Sequence, residues 1–172
     1  SMFDALNRPT RVYLPDGTVI IPQYNEANYL DSLQAQIKGQ VNFITFLEDQ
    51  NYDAKGQREY AKFGNGTITK YFYDPKTFRL TNLLTQKRGT DPVANSLQNI
   101  KYSYDAVGNI TQIIDDAKQT HYFRNNVVRP EQLFEYDAIY QLISATGREH
   151  AGIGGNAQRD HNDIPFIAQM PH

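Results

Sequence analysis

Apolar and polar residues alternate at a spacing of two along much of the chain. In Thr67-Ile68-Thr69-Lys70-Tyr71-Phe72-Tyr73 the threonines and both tyrosines fall on one face. Val41, Phe43, Thr45 and Leu47 alternate with Asn42, Ile44, Phe46 and Glu48, so both faces of that segment are partly apolar. Leu33, Ala35 and Ile37 alternate with Gln34, Gln36 and Lys38. Period two marks a strand, whose successive side chains point to opposite faces. A helical stripe over residues 30–38 is conceivable, but the alternation and Gly39 favour a strand, and no long segment carries the 3.6-residue period of a helix. Pro15-Asp16-Gly17, Gly64-Asn65-Gly66 and Asp115-Asp116-Ala117 punctuate these runs. Asp-Gly and Asn-Gly are strong hairpin signals. The pattern predicts a meander of about ten antiparallel strands.

A second class of turn recurs along the chain. Phe3-Asp4, Tyr24-Asn25, Tyr52-Asp53, Tyr73-Asp74, Tyr104-Asp105 and Tyr136-Asp137 each pair an aromatic with Asp or Asn, usually with a turn-tolerant residue about three positions on. The anchors at 3, 24, 52, 73, 104 and 136 are spaced by 21, 28, 21, 31 and 32 residues, which defines a unit near 21 with insertions of up to eleven. The aromatic is expected to close a strand and pack on the sheet. The Asp or Asn bonds the backbone two residues on and so starts a turn. Gly56 and Gly108 supply positive φ and Asn28 tolerates it. The structural motif therefore comprises Tyr24, Asn25, Tyr52, Asp53, Gly56, Tyr73, Asp74, Tyr104, Asp105, Gly108, Tyr136 and Asp137. The repeat sheet is expected over residues 3–147, with a protruding polar loop at 86–99 and an irregular connector to further repeats at 148–172. Ser1-Met2 reads as a cloning remnant. Repeat arrays need caps, and the chain opens inside a repeat and closes on a loop, so it reads as a piece of a larger protein.

Composition narrows the function classes. The 172 residues include twelve Tyr and nine Phe but no Trp, and Tyr and Phe favour strands. With 40% hydrophobic and 21% charged residues the chain suits a folded globular protein and not a disordered one. No apolar run is long enough to span a membrane as a helix. The net charge of -2 gives no field to recruit nucleic acid. The absence of cysteine excludes disulfides, thiolate metal sites and cysteine nucleophiles.

Candidate chemistry is weak. Asp4, Asp53, Asp74, Asp105 and Asp137 could suggest paired acids, but recurrence at one turn of a repeat predicts spacing along a sheet edge instead. His121, His150, His161 and His172 lack metal-binding spacing, and His121 reads as a sheet-face residue. Ala151-Gly152-Ile153-Gly154-Gly155-Asn156 lacks the Gly-Lys-Ser/Thr ending of a phosphate loop. Ser32, Ser96, Ser103 and Ser144 lack a nucleophile-elbow context. No enzyme, cofactor or metal is expected.

The string Tyr104-Asp105-Ala106-Val107-Gly108-Asn109-Ile110 resembles the YD repeat of the RHS (rearrangement hotspot) family, and Tyr52–Arg58 and Tyr136-Asp137-Ala138 are similar to it. Gly64-Asn65-Gly66, Thr77-Phe78-Arg79-Leu80, Asp115–Thr120 and Thr146-Gly147-Arg148-Glu149-His150 sharpen this to the RHS segment of bacterial insecticidal Tc toxins, nearest to the B component and SpvB-like proteins. The resemblance implies an all-β fold, a curved, spiralling sheet of antiparallel strands that forms part of a hollow shell. Such shells enclose a C-terminal toxin cargo and are secreted as toxin complexes. The implied partners are the remaining repeats of the parent toxin, its cargo and other Tc components. The Asp-Pro-x-Gly core motif of RHS self-cleavage sites is missing: Asp74-Pro75 continues as Lys76-Thr77, and Asp91-Pro92 as Val93-Ala94. The alternative is a carbohydrate- or cell-surface-binding β module. Cut strand edges are expected to make the isolated chain self-associate.

Overall fold

The computed structural model describes residues 1–89, 96–123 and 126–148, and all regular structure within them is β-strand. The strands are β1 (Met2–Phe3), β2 (Pro9–Tyr13), β3 (Val19–Tyr24), β4 (Leu30–Gln36), β5 (Ile44–Tyr52), β6 (Arg58–Phe63) and β7 (Thr67–Tyr73). They continue with β8 (Leu80–Lys87), β9 (Ser96–Tyr104), β10 (Ile110–Asp115), β11 (His121–Phe123), β12 (Asn126–Val128), β13 (Glu131–Tyr136) and β14 (Leu142–Thr146). Twelve form one antiparallel sheet in chain order, running from β1 to β10 and then to β13 and β14. β11 and β12 pair only with each other, as an excursion between β10 and β13. The sheet is not closed into a barrel, so β1 and β14 are its edges.

A strict meander sorts its turns. Every aromatic-Asp/Asn turn lies at one end of the strands and every other turn at the opposite end. The uneven anchor spacing has a simple origin in this arrangement. Units of 21 residues have short far-end turns at 14–18 and 64–66, while the longer units carry a loop at 37–43, the longer connection between β8 and β9, and the β11–β12 excursion. Most extra residues thus enter at the far end, and the tyrosine-bearing end varies by only one residue, in the turn that follows Tyr73.

Three expectations are corrected. The sheet has more strands than the ten or so expected, because each unit contributes two and the first and last units are represented as well. The strand expected from Val41 starts at Ile44. Gln36 Nε2 donates to the carbonyls of Gln40 (3.1 Å) and Val41 (3.0 Å), holding that segment as a loop with Val41 88% exposed. The loop expected over 86–99 is narrower, since β8 runs to Lys87 and β9 resumes at Ser96. His121 lies in a strand beside Tyr122 as expected, in the two-stranded hairpin of β11 and β12. The glycine-rich segment 151–156, His150, His161, His172 and all of the expected connector except Arg148 lie outside the described residues.

The sheet is a single layer whose two faces differ. Residues directly opposite each other in antiparallel strands share a face. One face carries the rows Val12–Ile20–Ala35, Pro22–Leu33–Leu47–Phe63, Gln50–Ala61–Thr69–Thr85–Gln98, Tyr71–Leu83–Ile100 and Tyr102–Ile113–Gln132. Ala61 at the middle of this face is fully buried, and Thr69 and Gln50 beside it nearly so. The Thr69 and Thr85 hydroxyls bond each other at 2.9 Å, satisfying two half-buried polar groups across β7 and β8. Charge is confined to the margins of this face: Arg58 at one end, Lys87 and Asp115 at the other. The opposite face carries Asp49 paired with Lys62 at 2.7 Å, together with Lys70, Lys101, Glu131 and Glu135.

Candidate functional site: the tyrosine turn edge

Each turn of the repeat is built by its acid. The backbone N–H of the Asp or Asn donates across the loop, from Asp4 to Arg8 (3.0 Å), Asn25 to Tyr29 (2.9 Å), Asp53 to Gln57 (2.8 Å), Asp105 to Asn109 (3.0 Å) and Asp137 to Gln141 (2.9 Å). Its side-chain Oδ1 then gathers the N–H groups that point into the loop. Asp53 accepts from Lys55 and Gln57 at 2.8 Å each, and Asp105 accepts from Val107, Gly108 and Asn109 at 3.1, 2.7 and 2.8 Å. Asp137 accepts from Ile139 (2.9 Å) and Gln141 (2.8 Å), Asp4 from Leu6 and Arg8 at 2.9 Å, and the Asn25 side chain from Tyr29 at 3.0 Å. Three residues after the acid the chain turns left-handed, with φ of 60° at Asn7, 69° at Asn28, 80° at Gly56, 114° at Gly108 and 66° at Tyr140. The Asp74 turn is one residue longer: Asp74 N–H donates to Arg79 at 2.9 Å, and Phe78 takes φ 59°.

Gathering N–H groups favours the ionised carboxylate. The Asp4 carboxyl sits below its usual range because of the Arg8 backbone N–H and then the Arg8 side chain. Asp74 is lowered by the N–H groups of Thr77 and Lys76. At Asp105 desolvation pushes upward, yet the Asn109 side chain and the N–H groups of Gly108, Asn109 and Val107 outweigh it and leave the carboxyl lowered. Each carboxylate serves its own turn, so the repeated acids stand in a row and not as a catalytic pair. Among the described residues no group of three or more His, Asp or Glu is placed to hold a metal ion.

The repeat tyrosines stitch neighbouring turns together. They lie on the charge-poor face, and each hydroxyl donates backward to the carbonyl of the first residue of the adjacent strand. Tyr52 donates to Leu30 (2.9 Å), Tyr73 to Arg58 (3.0 Å), Tyr104 to Leu80 (2.7 Å) and Tyr136 to Ile110 (2.9 Å). Desolvation raises the Tyr73 and Tyr104 hydroxyls above their usual range, which keeps them as donors. Tyr24 instead lies under the Arg8 guanidinium, 4.8 Å from its ring centroid.

A second set of contacts runs forward from the residues that close the first four turns, whereas Asn109, which closes the fifth, donates back to Asp105 Oδ2 of its own turn at 2.9 Å. Arg8 Nη1 donates to Asn28 Oδ1 at 2.7 Å. The Tyr29 ring stacks on Tyr52 with centroids 4.7 Å apart. Gln57 Nε2 donates to the Phe78 carbonyl at 2.7 Å, and Arg79 Nη1 to the Asp105 carbonyl at 3.1 Å. Sequence reasoning missed these four closing residues because one structural position is filled by Arg, Tyr, Gln and Arg. The usable signal is distance, four or five residues after the acid. The same contacts explain Gly56 and Gly108 beyond their positive φ: a Cβ on Gly56 would overlap the Tyr29 hydroxyl, and one on Gly108 would stand 2.7 Å from Arg79 Nη2.

No family model matches the chain. Toxin subunit YenC2 of Yersinia entomophaga is 44% identical over 115 residues, covering 66% of this chain and 11% of that relative. Toxin subunit YenC1 of the same organism is 39% identical over 131 residues, covering 76% of this chain and 13% of the relative. The chain therefore spans little more than a tenth of the length of these curated relatives. Among solved structures, the crystal structure of TcdB2-TccC3 superposes with a TM-score of 0.74 at 38% identity, covering 90% of this chain and 7% of that one. The Photorhabdus luminescens Tc holotoxin pore superposes with a TM-score of 0.70 at 37% identity, covering 86% of this chain and 7% of that one.

Proposed function

Because the chain is an RHS-repeat segment of the Tc toxin type, we propose that it is a non-catalytic stretch of shell wall enclosing the cargo of a secreted toxin complex. One observation carries the reading, the single-layer sheet with unlike faces. A sheet in an ordinary domain buries one face under a second layer. Among the described residues nothing covers either face, yet one bears aliphatic, tyrosine, threonine and glutamine side chains with charge only at its margins, and the other sets the Asp49–Lys62 pair, Lys70, Lys101 and Glu131 among apolar residues such as Ile68, Leu84 and Ile114. Such a sheet suits a partition between two environments, and we assign the charge-poor face to the lumen and the charged face to bulk water. The YenC names of both curated relatives support a C-type subunit as parent, with the B component and the other repeats as neighbours in the wall. The repeat tyrosines commit their hydroxyls to backbone carbonyls, which ties them to the sheet and favours the wall reading over the glycan-binding alternative.

The test uses the parent protein with its downstream region intact, treated with a broad protease and followed by mass spectrometry. The C-terminal segment should survive until denaturant opens the shell and then be cleaved rapidly. Digestion as fast as that of a free peptide would remove this stretch from any closed container.

A further inference from the structure

Two of the far-end turns are chemical twins. Asp16-Gly17-Thr18 connects β2 to β3, and Asn65-Gly66-Thr67 connects β6 to β7. In each the glycine N–H donates back across the turn, Gly17 to the Leu14 carbonyl and Gly66 to the Phe63 carbonyl, both at 3.0 Å. Both glycines are left-handed, with φ of 90° and 81°. The threonine then donates twice to the side chain ahead of the glycine. Thr18 N–H and hydroxyl reach Asp16 Oδ1 and Oδ2 at 2.9 Å each, whereas Thr67 N–H and hydroxyl both reach Asn65 Oδ1, at 3.1 and 2.7 Å. An N–H only donates, so the Asn65 carboxamide is fixed with its oxygen towards Thr67. The twins differ electronically. The Asp16 carboxyl is held below its usual range by the Thr18 N–H and then the Thr18 hydroxyl, and an ionised carboxylate is no electrophile. Asn65 presents a neutral amide carbon whose oxygen already holds two donors.

We propose that Asn65 is a self-modification site, at which the Gly66 nitrogen displaces ammonia from the Asn65 side chain while Thr67 stabilises the oxyanion formed on the way. Asn65-Gly66 is the sequence's only Asn-Gly pair. Solvent takes the Gly66 amide proton and the nitrogen adds to Asn65 Cγ, which puts negative charge on Oδ1. The Cγ–Nδ2 bond then breaks, Nδ2 leaves as ammonia with a proton from water, and a cyclic succinimide remains. Water opens that ring at either carbonyl, giving aspartate or its isoaspartyl isomer. Donors aimed at the oxygen where charge develops lower such a barrier. Glycine leaves its nitrogen open to approach, and a Cβ on Gly66 would meet nothing within 4 Å, so water has access. Other bonds keep the turn in place while the Gly66 N–H leaves Phe63: Gly64 N–H donates to the Phe46 carbonyl at 3.1 Å, and Arg88 N–H to the Gly66 carbonyl at 2.8 Å. The aspartyl product repeats the Asp16 turn, so the fold accepts it, and it places a negative charge on an exposed tip.

The test incubates the folded 172-residue chain in mildly alkaline buffer and follows Asn65 by peptide mapping and ammonia release. Thr67→Val keeps the N–H and a strand-forming shape but removes the hydroxyl, and should slow the folded reaction about five-fold, the worth of one hydrogen bond. Thr67→Ser keeps the hydroxyl and should react at the wild-type rate. Thr67→Ala removes the same hydroxyl with less bulk and should repeat the slowing, which guards against a misfolded valine variant. Unfolded in urea, all four chains should react alike, because nothing then holds Thr67 against Asn65. Asn65→Asp should leave the urea midpoint unchanged. A folded reaction that is unchanged or faster without the hydroxyl overturns the proposal, since the threonine then only restrains the side chain or the reaction needs unfolding. So does a folded chain whose Asn65 stays intact while the unfolded chain reacts to completion. A fall in the midpoint of Asn65→Asp overturns the fit of the product to the turn.

Discussion

At the scale of single residues the acid of each repeat acts as an internal template. One oxygen gathers two or three N–H groups that would otherwise face each other across a loop, and the charge strengthens those bonds. The pH dependence follows by sign. The carboxyls of Asp4, Asp74 and Asp105 are lowered in the fold from an ordinary value of 3.8, so their stabilisation is fully present above that value. It is lost as pH falls through the lowered folded values. The urea midpoint should be flat from pH 5 to 8 and fall below about pH 4. Asp105→Asn keeps an accepting oxygen, as Asn25 does in its own turn, and so should lower the midpoint at pH 7 by an amount that shrinks progressively as pH falls below about 4. A glycine makes the second residue-scale argument. A Cβ on Gly64 would overlap the Thr45 carbonyl oxygen, in backbone that cannot step aside. Gly64→Ala should therefore cost about 3 kcal/mol, at the upper end for a single substitution. Tyr140 is the converse case: it is exposed and held at φ 66°, a conformation costly for a side chain. Tyr140→Gly should stabilise the chain by about 1 kcal/mol, read as a rise in midpoint at unchanged slope.

The repeating element is a pair of strands joined by an acid turn and tied to its neighbours by a hydroxyl behind and a closing side chain ahead. Removing one hydroxyl leaves a backbone carbonyl at the turn edge without its donor, so Tyr104→Phe should cost about 1 kcal/mol in chemical denaturation and Tyr73→Phe, whose contact is exposed, somewhat less. Their acceptors, Arg58 and Leu80, are different residues in different strands, and the double variant should lose close to the sum. Much of this element is legible in sequence, because Tyr-Asp with glycine or asparagine three residues on states the turn's chemistry directly. Two parts are not. The hydroxyl's partner is a backbone carbonyl, which any residue supplies, so Leu30, Arg58, Leu80 and Ile110 share no side-chain signature. The closing residue works by reach and not by type, which is why an arginine, a tyrosine and a glutamine do the same job. Strand limits were misread for a related reason: alternation continues through Val41 and Phe43, but Gln36 captures the backbone there and keeps it out of the ladder.

On the scale of the whole molecule the sheet behaves as a ribbon in which each strand touches only its neighbours, so stability is close to a sum of unit and interface terms. The β11–β12 excursion lies outside that sum. β10 pairs directly with β13, through Gln112–Leu133, Ile113–Gln132 and Ile114–Glu131, and Asp115 N–H reaches the Pro130 carbonyl at 2.9 Å. The ladder is thus complete without the hairpin. What ties the hairpin down is Arg148, whose guanidinium donates to the Arg129 carbonyl at 3.2 Å and to the Gln119 carbonyl, one at each base of the excursion. These contacts are exposed, and exposed charged contacts contribute little. Replacing residues 117–129 with Asn-Gly should therefore leave the far-ultraviolet strand signal intact and shift the urea midpoint by the equivalent of less than about 1 kcal/mol. Arg148→Ala in the intact chain should release the hairpin without changing that midpoint, seen as faster amide exchange confined to residues 121–128. A deletion variant that loses its sheet would mean that the excursion holds β10 against β13, and the ribbon description would then fail at its longest insertion.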